Sequence, residues 1–246
     1  MTARRKIVQR FSEARGRDVE MLIISTTRKP VAGLPVALLL HGRGGSARYA
    51  AVGGLGDALA EAVTAGAVAP FALVALDGGN SYWHDQSRDD RPMTMLLDEV
   101  PTWLAEEGLA VPDGLPFACA GVSMGGFGAL LYARRRHERA QPLRGVTALS
   151  PGLFTTWEGM KSRNAFSDAE QWAVVDPLQH VDKLGNVKVG MWIGDKDAFV
   201  GGARQFMAEA KPAVASIGPG GHTSAYFRSV NPEIVRFLGG CVPIFG

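Results

Sequence analysis

Short, wholly apolar runs alternate with helical stretches along most of this 246-residue sequence, and this alternation restricts the possible folds more than any other feature. We predict the runs as buried strands, which are Val36–Leu40, Phe71–Leu76, Phe117–Val122, Gly145–Leu149, Val187–Ile193 and Ala213–Ile217. Helical spacing lies between them, at Leu55–Val68, Met93–Glu107 (with a break or kink at Pro101), Met124–His137, Ala203–Ala210 and Pro232–Leu238. The pattern predicts a single α/β domain over residues 1–246, with a mostly parallel central sheet and helices on both faces.

Two segments depart from this alternation. Lys6–Gln9 and Val19–Thr26 predict an antiparallel strand pair at the edge of the sheet. Residues 151–184 hold four large aromatic side chains among polar residues, which are Phe154, Trp157, Phe166 and Trp172. We interpret this stretch as an insertion that forms a lid or one wall of a substrate pocket, with Phe154 and Trp157 as candidate substrate-binding residues.

Composition excludes several classes of partner. Apolar residues make up 46% of the chain and charged residues 20%, which allows a sizeable core, and the net charge is only +2. Nucleic acid and anionic membranes require clustered Lys and Arg, so we expect neither a nucleic-acid partner nor stable membrane insertion. Met1–Arg17 lacks an apolar run of signal-peptide length, so a cytoplasmic protein is expected unless a leader was removed before this numbering.

The sequence Gly121-Val122-Ser123-Met124-Gly125 follows one predicted strand and opens the next helix. A G-x-S-x-G pattern in this context is typical of the nucleophile elbow of α/β-hydrolases. The turn is so sharp that the serine backbone is strained and that residues two before and two after it must lack side chains. The alternative is a glycine-rich turn whose serine caps a helix. We predict Ser123 as a nucleophile.

A serine hydroxyl needs a base, and in this fold the partners follow in the chain order serine, acid, histidine. His222 is the one histidine that follows both Ser123 and the candidate acids. Two aspartates, Asp195 and Asp197, come directly after the strand that ends at Ile193, and either carboxylate could orient the imidazole. Asp197 is favoured because a G-x-x-D spacing after this strand is the usual placement in the fold.

Acyl transfer also needs hydrogen-bond donors for the oxyanion of the tetrahedral intermediate. The amide of Met124, directly after the nucleophile, is the first candidate. The second lies in His41-Gly42-Arg43-Gly44-Gly45, the loop after Val36–Leu40, where we favour the Arg43 amide over that of Gly42. Gly42 is also a candidate for substrate contact. A phosphate-binding loop is the alternative, but no Gly-Lys-Ser/Thr follows.

The segment Asp77–Asp85 follows the next strand and borders the same edge of the sheet. Tyr82 and Trp83 are candidate substrate-binding residues, and His84 with Asp85 could bind a polar leaving group. The alternative is turn structure with simple aromatic packing, because Asp-Gly-Gly-Asn is typical of turns. No metal-ligand spacing is present, so no metal and no cofactor are expected.

These motifs together resemble the esterase D group of α/β-hydrolases, which includes S-formylglutathione hydrolases, feruloyl esterases and the antigen-type mycolyltransferases. The resemblance rests on five pieces, which are His41–Gly45, Asp77–Trp83, Gly121–Ala129, Gly194–Asp197 and Gly221–Thr223. It implies a serine esterase that hydrolyses a small-molecule carboxylic ester or thioester through an acyl-serine. Two alternatives stay open: an acyltransferase to a sugar or polyol, and a non-catalytic carbohydrate-binding member of the fold.

Overall fold

The computed structural model describes residues 3–26, 33–110 and 113–243. In these ranges eight strands form one sheet in the order β1-β2-β4-β3-β5-β6-β7-β8. The strands are β1 (Arg4–Ser12), β2 (Arg17–Ser25), β3 (Val36–Leu40), β4 (Ala72–Leu76), β5 (Ala118–Val122), β6 (Gly145–Leu149), β7 (Lys188–Gly194) and β8 (Val214–Gly218). β1 pairs antiparallel with β2, and β2 with β4, while every other pair is parallel. The predicted sheet and its antiparallel edge pair are confirmed.

Helices cover both faces of the sheet. They are α1 (Leu55–Thr64), α2 (Pro92–Thr94), α3 (Val100–Glu106), α4 (Met124–Glu138), α5 (Trp157–Lys161), α6 (Ala169–Val175), α7 (Val200–Ala210) and α8 (Ser224–Gly239). A π-helical segment, Met95–Glu99, separates α2 from α3 just before Pro101. A proline has no N–H to donate and crowds the preceding turn; the expected break or kink takes the form of this π-helical segment within a continuous helical stretch. Among the described helices, none combines the length and apolar character that a membrane span requires.

The central strands are buried on both sides. In β3, Val36, Leu38 and Leu40 contact the core on one face, while Ala37 and Leu39 contact the core on the other. Side chains of a strand alternate between faces, so a strand between two helical layers must be apolar throughout. In β5, Cys119 is fully buried with a free thiol, as expected for a small core residue.

The register of the parallel strands aligns their carboxyl ends. Leu40 lies beside Gly121, Val122 beside Leu149, Leu149 beside Trp192 and Gly194 beside Gly218. The loops that follow β3, β5, β6, β7 and β8 therefore emerge along one edge of the sheet. In open α/β sheets this edge is where ligands bind.

The last helix begins eight residues earlier than the sequence suggests. α8 starts at Ser224, where the Thr223 side chain accepts a hydrogen bond from Tyr226 N at 3.3 Å, and it continues through Pro232. The prediction of a helix start at Pro232 is wrong. An internal proline costs roughly 3 kcal/mol, and burial of one apolar face of the helix offsets that cost, through Tyr226, Phe227, Val230, Ile234, Val235 and Leu238.

The segment 151–184 crosses the carboxyl ends of the strands. The Phe166 ring stacks on His84, in the loop after β4, with ring centroids 4.2 Å apart. The Phe154 ring contacts Phe199, in the loop after β7, at 5.2 Å. The insertion also contains Trp157 and Trp172, whose ring centroids lie 6.1 Å apart. These contacts place the insertion between two loops of the same edge, a position that suits a pocket wall.

Candidate active site

Ser123 occupies the turn between β5 and α4. Its backbone has φ 56° and ψ −120°, a conformation that non-glycine residues rarely adopt and that costs about 1–3 kcal/mol. Backbone hydrogen bonds hold the turn: the Ser123 amide donates to Leu149 O at 2.9 Å, and Gly126 N and Gly152 N donate to the Ser123 carbonyl at 2.9 and 2.8 Å. The sheet and the start of the insertion thus fix this serine at the carboxyl end of β5.

Two glycines make this turn sterically possible. A Cβ on Gly121 would lie 1.9 Å from Gly125 O, and one on Gly125 would lie 1.9 Å from Leu40 O. Both distances are far inside van der Waals contact with backbone atoms that cannot move away. The collision expected from the G-x-S-x-G pattern is therefore present in the fold, and any side chain at either position would displace Ser123.

Asp197 and His222 form a hydrogen-bonded pair at the same edge. His222 Nδ1 lies 2.8 Å from Asp197 Oδ2, and the other carboxylate oxygen accepts from Phe199 N at 3.0 Å. The Asp197 side chain is fully buried, whereas that of His222 keeps about a third of its surface exposed. The Phe199 and Phe227 rings flank the imidazole, each with its centroid 5.4 Å away.

The charge state of Asp197 fixes the tautomer of His222. Burial acts to raise the pKa of Asp197, but hydrogen bonds from His222 and Phe199 N outweigh it and leave the pKa below its usual value. An ionised carboxylate only accepts hydrogen bonds, so Nδ1 of His222 must carry the proton that it shares with Asp197. Nε2 is then the free acceptor of the ring, as a general base requires.

Asp195 braces the loop that carries His222. Its carboxylate accepts from Gly220 N at 3.0 Å, its amide donates to Gly218 O at 2.8 Å, and Lys196 N donates to Gly220 O at 2.8 Å. Of the two aspartates that the sequence leaves open, Asp197 contacts the imidazole and Asp195 contacts only backbone.

Ser123 and His222 share the edge without a direct hydrogen bond between them. Within the described ranges the Ser123 hydroxyl has no protein hydrogen-bond partner, either as donor or as acceptor. A short path joins the two residues: Gly152 N binds the Ser123 carbonyl, Phe154 contacts Phe199, and Phe199 contacts His222. In free enzymes the bond between nucleophile and base is often long and tightens when substrate binds.

His41 holds the glycine-rich loop after β3. Its Nδ1 donates to Gly42 O at 2.7 Å, while Nε2 accepts from Gly78 N at 2.9 Å. This pattern needs a neutral ring, and burial lowers the pKa of His41 accordingly. The imidazole therefore ties the loop after β3 to the loop after β4.

The amides predicted as oxyanion donors have no protein partner. Gly45 N and His41 both donate to Gly42 O, and a trans peptide points the Arg43 N–H opposite to that carbonyl. A Cβ on Gly42 would lie 3.3 Å from the Ser123 Cβ, so this peptide lies against the candidate nucleophile. In the described part of the chain, the amides of Gly42, Arg43 and Met124 donate no hydrogen bond to protein.

Tyr82 and Trp83 have different surroundings although they are adjacent. Both have positive φ, 53° and 61°. Trp83 is fully buried, donates from Nε1 to His41 O at 3.2 Å and fills the space beside Gly78 and Gly128, which leaves no surface for a substrate. Tyr82 is buried as well, at 2% exposed, so of the predicted pair only the Tyr82 hydroxyl remains a candidate for substrate contact.

The Tyr82 hydroxyl lies beside the start of α4. A Cβ placed on Gly152 would be 3.4 Å from this hydroxyl oxygen and 3.5 Å from Met124 N, so both border the same small space. The hydroxyl has no partner among the described residues, yet it is not sealed from solvent. Burial raises the pKa of Tyr82 to about 12, so the group stays protonated and can donate.

Comparison with known proteins identifies the family. A family model described as "Putative esterase" matches residues 12–217, which is most of the chain. The chain belongs to this esterase family. Hydrolysis of small-molecule esters is the activity that this membership supports. No curated protein matches the sequence of this esterase.

Solved structures with the same fold cover nearly the whole esterase. A ferulic acid esterase has a TM-score of 0.81 at 19% identity, covering 98% of this chain and 100% of its own. An S-formylglutathione hydrolase from Staphylococcus aureus gives 0.73 at 16% identity (97% and 100%), and MPT51 from Mycobacterium tuberculosis gives 0.76 at 17% (98% and 100%). These identities show the fold alone. The α/β-hydrolase fold and the resemblance to the esterase D group are confirmed.

His84 and Asp85 of the esterase serve the loop itself. His84 Nε2 lies 2.7 Å from Ala165 O, and the ring is buried. The Asp85 carboxylate accepts from Met93 N at 2.9 Å and from Thr94 N at 3.0 Å, which caps α2. Of the two interpretations that the sequence leaves open, these contacts favour turn structure over a leaving-group site.

Three site residues carry no motif in the sequence. Phe199 and Phe227 flank His222, and Arg163 stacks on Phe154 with its guanidinium carbon 5.0 Å from the ring centroid. The position of Phe199, two residues after Asp197, was an available signal, whereas Arg163 is placed by packing of the insertion. In the described residues, no group of three or more His, Cys, Asp or Glu side chains could hold a metal ion.

Proposed function

We propose that this chain is a serine esterase that hydrolyses a carboxylic ester or thioester through an acyl-serine on Ser123, with His222 as the base and Asp197 as its orienting acid. One observation carries the proposal: a strained serine after β5 lies at the same edge of the sheet as a hydrogen-bonded Asp–His pair whose members follow β7 and β8, with β6 between them. Packing alone does not require a buried carboxylate paired with a partly exposed imidazole there. Membership of the esterase family supports the same reaction.

In the first step the Ser123 oxygen attacks the carbonyl carbon while Nε2 of His222 accepts the hydroxyl proton. Ionised Asp197 holds the Nδ1–H tautomer and stabilises the imidazolium. The amides of Met124 and Arg43, or Gly42 in place of Arg43, donate to the oxyanion. Each such donor contributes about 3–4 kcal/mol to transition-state stabilisation.

In the second step the tetrahedral intermediate collapses. His222 donates its proton to the leaving alcohol or thiol, and the acyl group stays on Ser123. Water then attacks the acyl carbon while His222 accepts its proton, and His222 returns that proton to the Ser123 oxygen as the acyl–oxygen bond breaks and the acid leaves. If an alcohol attacked in place of water, the chain would act as an acyltransferase. Product analysis with and without a polyol such as glycerol distinguishes the two reactions, because only acyl transfer yields a new ester.

A fluorophosphonate probe tests the proposal. We expect one probe molecule per chain, located on Ser123 by peptide mass spectrometry, because the probe reacts with serines activated by a base. The Ser123→Ala variant is the matched blank. Absence of labelling in the folded wild-type protein would instead support a non-catalytic binding protein.

Substitution of His41 tests the oxyanion loop. We expect His41→Gln to lower kcat by about tenfold to a hundredfold with a smaller change in KM, because a displaced donor affects the transition state more than the ground state. Steady-state kinetics on p-nitrophenyl acetate measure this effect. His137→Gln is the control, since His137 is exposed at the end of α4. A kcat for His41→Gln within twofold of wild type contradicts a positioning role.

A further inference from the structure

Arg163 lies between two aromatic rings that lead to His222. Its guanidinium carbon is 5.0 Å from the Phe154 ring centroid and 5.8 Å from that of Phe199. The Phe199 ring in turn contacts His222, with centroids 5.4 Å apart. Contacts of a cation with two ring faces restrict the guanidinium to one region. Arg163 is therefore held on the Phe199 ring, which itself contacts the candidate base.

No carboxylate in the described part of the chain neutralises Arg163. Its Nε is buried without a hydrogen-bond partner, and its terminal nitrogens have no protein partner but stay in contact with solvent. Several other arginines are paired with acids, as in Arg15–Asp90, Arg48–Glu20 and Arg134–Glu138. A buried donor without a partner calls for a ligand or water that would satisfy it.

A second arginine, Arg43, lies in the loop after β3. Arg43 is exposed in the oxyanion loop and forms no ion pair among the described residues. Both arginines act on Tyr82, whose pKa burial raises against the opposing positive charges of Arg163 and Arg43, with no carboxylate contributing. The positive charges of Arg163 and Arg43 therefore both act on the Tyr82 hydroxyl, which lies beside Met124 N.

We infer that Arg163, with Arg43 adding a second positive charge, selects an ester or thioester that carries an anionic group, such as a carboxylate, within reach of the scissile carbonyl. A guanidinium donates two parallel hydrogen bonds to a carboxylate, and the flanking rings keep it oriented for that purpose. The inference rests on the proposed function, since it names the substrate class of the same site.

Two substrate pairs test the inference on the wild-type enzyme. The acyl pair is p-nitrophenyl hydrogen adipate and its neutral methyl ester. The leaving-group pair is 4-carboxyphenyl acetate and its neutral methyl ester. We expect kcat/KM to favour the anionic member of one pair by about tenfold, the size of a charge-assisted hydrogen bond. The pair that shows the preference tells whether the anion is on the acyl or the leaving group.

Variants assign the preference to Arg163. We expect Arg163→Gln to reduce the anionic-to-neutral ratio of kcat/KM by about tenfold and Arg163→Lys to retain part of it, because Lys keeps the charge but loses the planar fork. Arg5→Gln, which removes the same charge from the distant edge strand β1, should leave the ratio unchanged. Added salt should lower the wild-type ratio, since partly exposed charges are screened.

The outcomes separate this inference from the proposed function. If Ser123→Ala retains hydrolysis of the neutral esters, the proposed function fails. If Ser123→Ala is inactive but wild type shows no anionic preference in either pair, only the substrate inference is overturned. An anionic preference that persists in Arg163→Gln also overturns the assignment to Arg163, provided that thermal unfolding shows this variant to be folded.

Discussion

Ser123→Ala is expected to lower kcat on p-nitrophenyl acetate by about four to six orders of magnitude. The substitution removes the oxygen that forms the acyl-enzyme, while the amides around it stay in place. Hydrolysis that remains would come from the oxyanion donors and substrate binding alone, which in serine hydrolases leave about 10³–10⁴-fold catalysis over water. Steady-state kinetics at high enzyme concentration measure the residual rate, and the rate of the buffer blank sets the detection limit.

Stability should change little or rise in Ser123→Ala, because the strained φ of 56° belongs to the backbone and stays.

His222→Ala should lower kcat to a similar extent, and the double variant should be no worse than either single one, since the two residues act as a unit. Ser229→Ala, an exposed serine of α8, is the control and should keep wild-type rates. Residual activity of Ser123→Ala within tenfold of wild type would rule out this serine as the nucleophile.

The strands were predictable because the residues of each strand themselves encode its burial. Val36–Leu40 and Gly145–Leu149 match the structure residue for residue. A strand enclosed by helices on both faces must be apolar at every position, and glycine-rich turns mark its ends. The turn around Ser123 was predictable as well, since Gly121 and Gly125 are required by backbone contacts with each other and with β3.

Helix limits near prolines were less predictable. Pro232 looks like a first-turn proline, yet α8 begins at Ser224 and runs through it. The capping signal was present in Thr223, but a local interpretation gives more weight to the proline. Packing of α8 against α1 and the sheet, which no local pattern encodes, decides the outcome.

The walls of the site depend on packing between distant segments. Phe166 meets His84, and Arg163 meets Phe154 and Phe199, because the insertion folds back over the strand ends. The sequence predicts the aromatic content of this insertion but not the partners of its rings. Trp83 shows the same limit: its neighbour Tyr82 reaches the site, while Trp83 is enclosed by the glycines around it.

Asp197→Asn is expected to lower kcat by about four orders of magnitude while the fold is retained. The variant removes the negative charge that stabilises the His222 imidazolium. An asparagine amide can also donate to Nδ1, which would place the ring proton on Nε2 and leave no base facing Ser123. Steady-state kinetics measure the loss, and thermal unfolding verifies that the buried amide is tolerated.

Asp195→Asn is the matched control, two residues away with the same change of charge. Among the described residues its carboxylate accepts a hydrogen bond from the Gly220 amide alone, at 3.0 Å, and an asparagine oxygen can accept that bond as well. We expect a loss of kcat below about fivefold and a destabilisation of no more than about 1 kcal/mol, the net contribution of one hydrogen bond. If Asp195→Asn were the severe variant and Asp197→Asn the mild one, the 2.8 Å contact between Asp197 and His222 would be structural, and the orienting acid would have to be reassigned to Asp195.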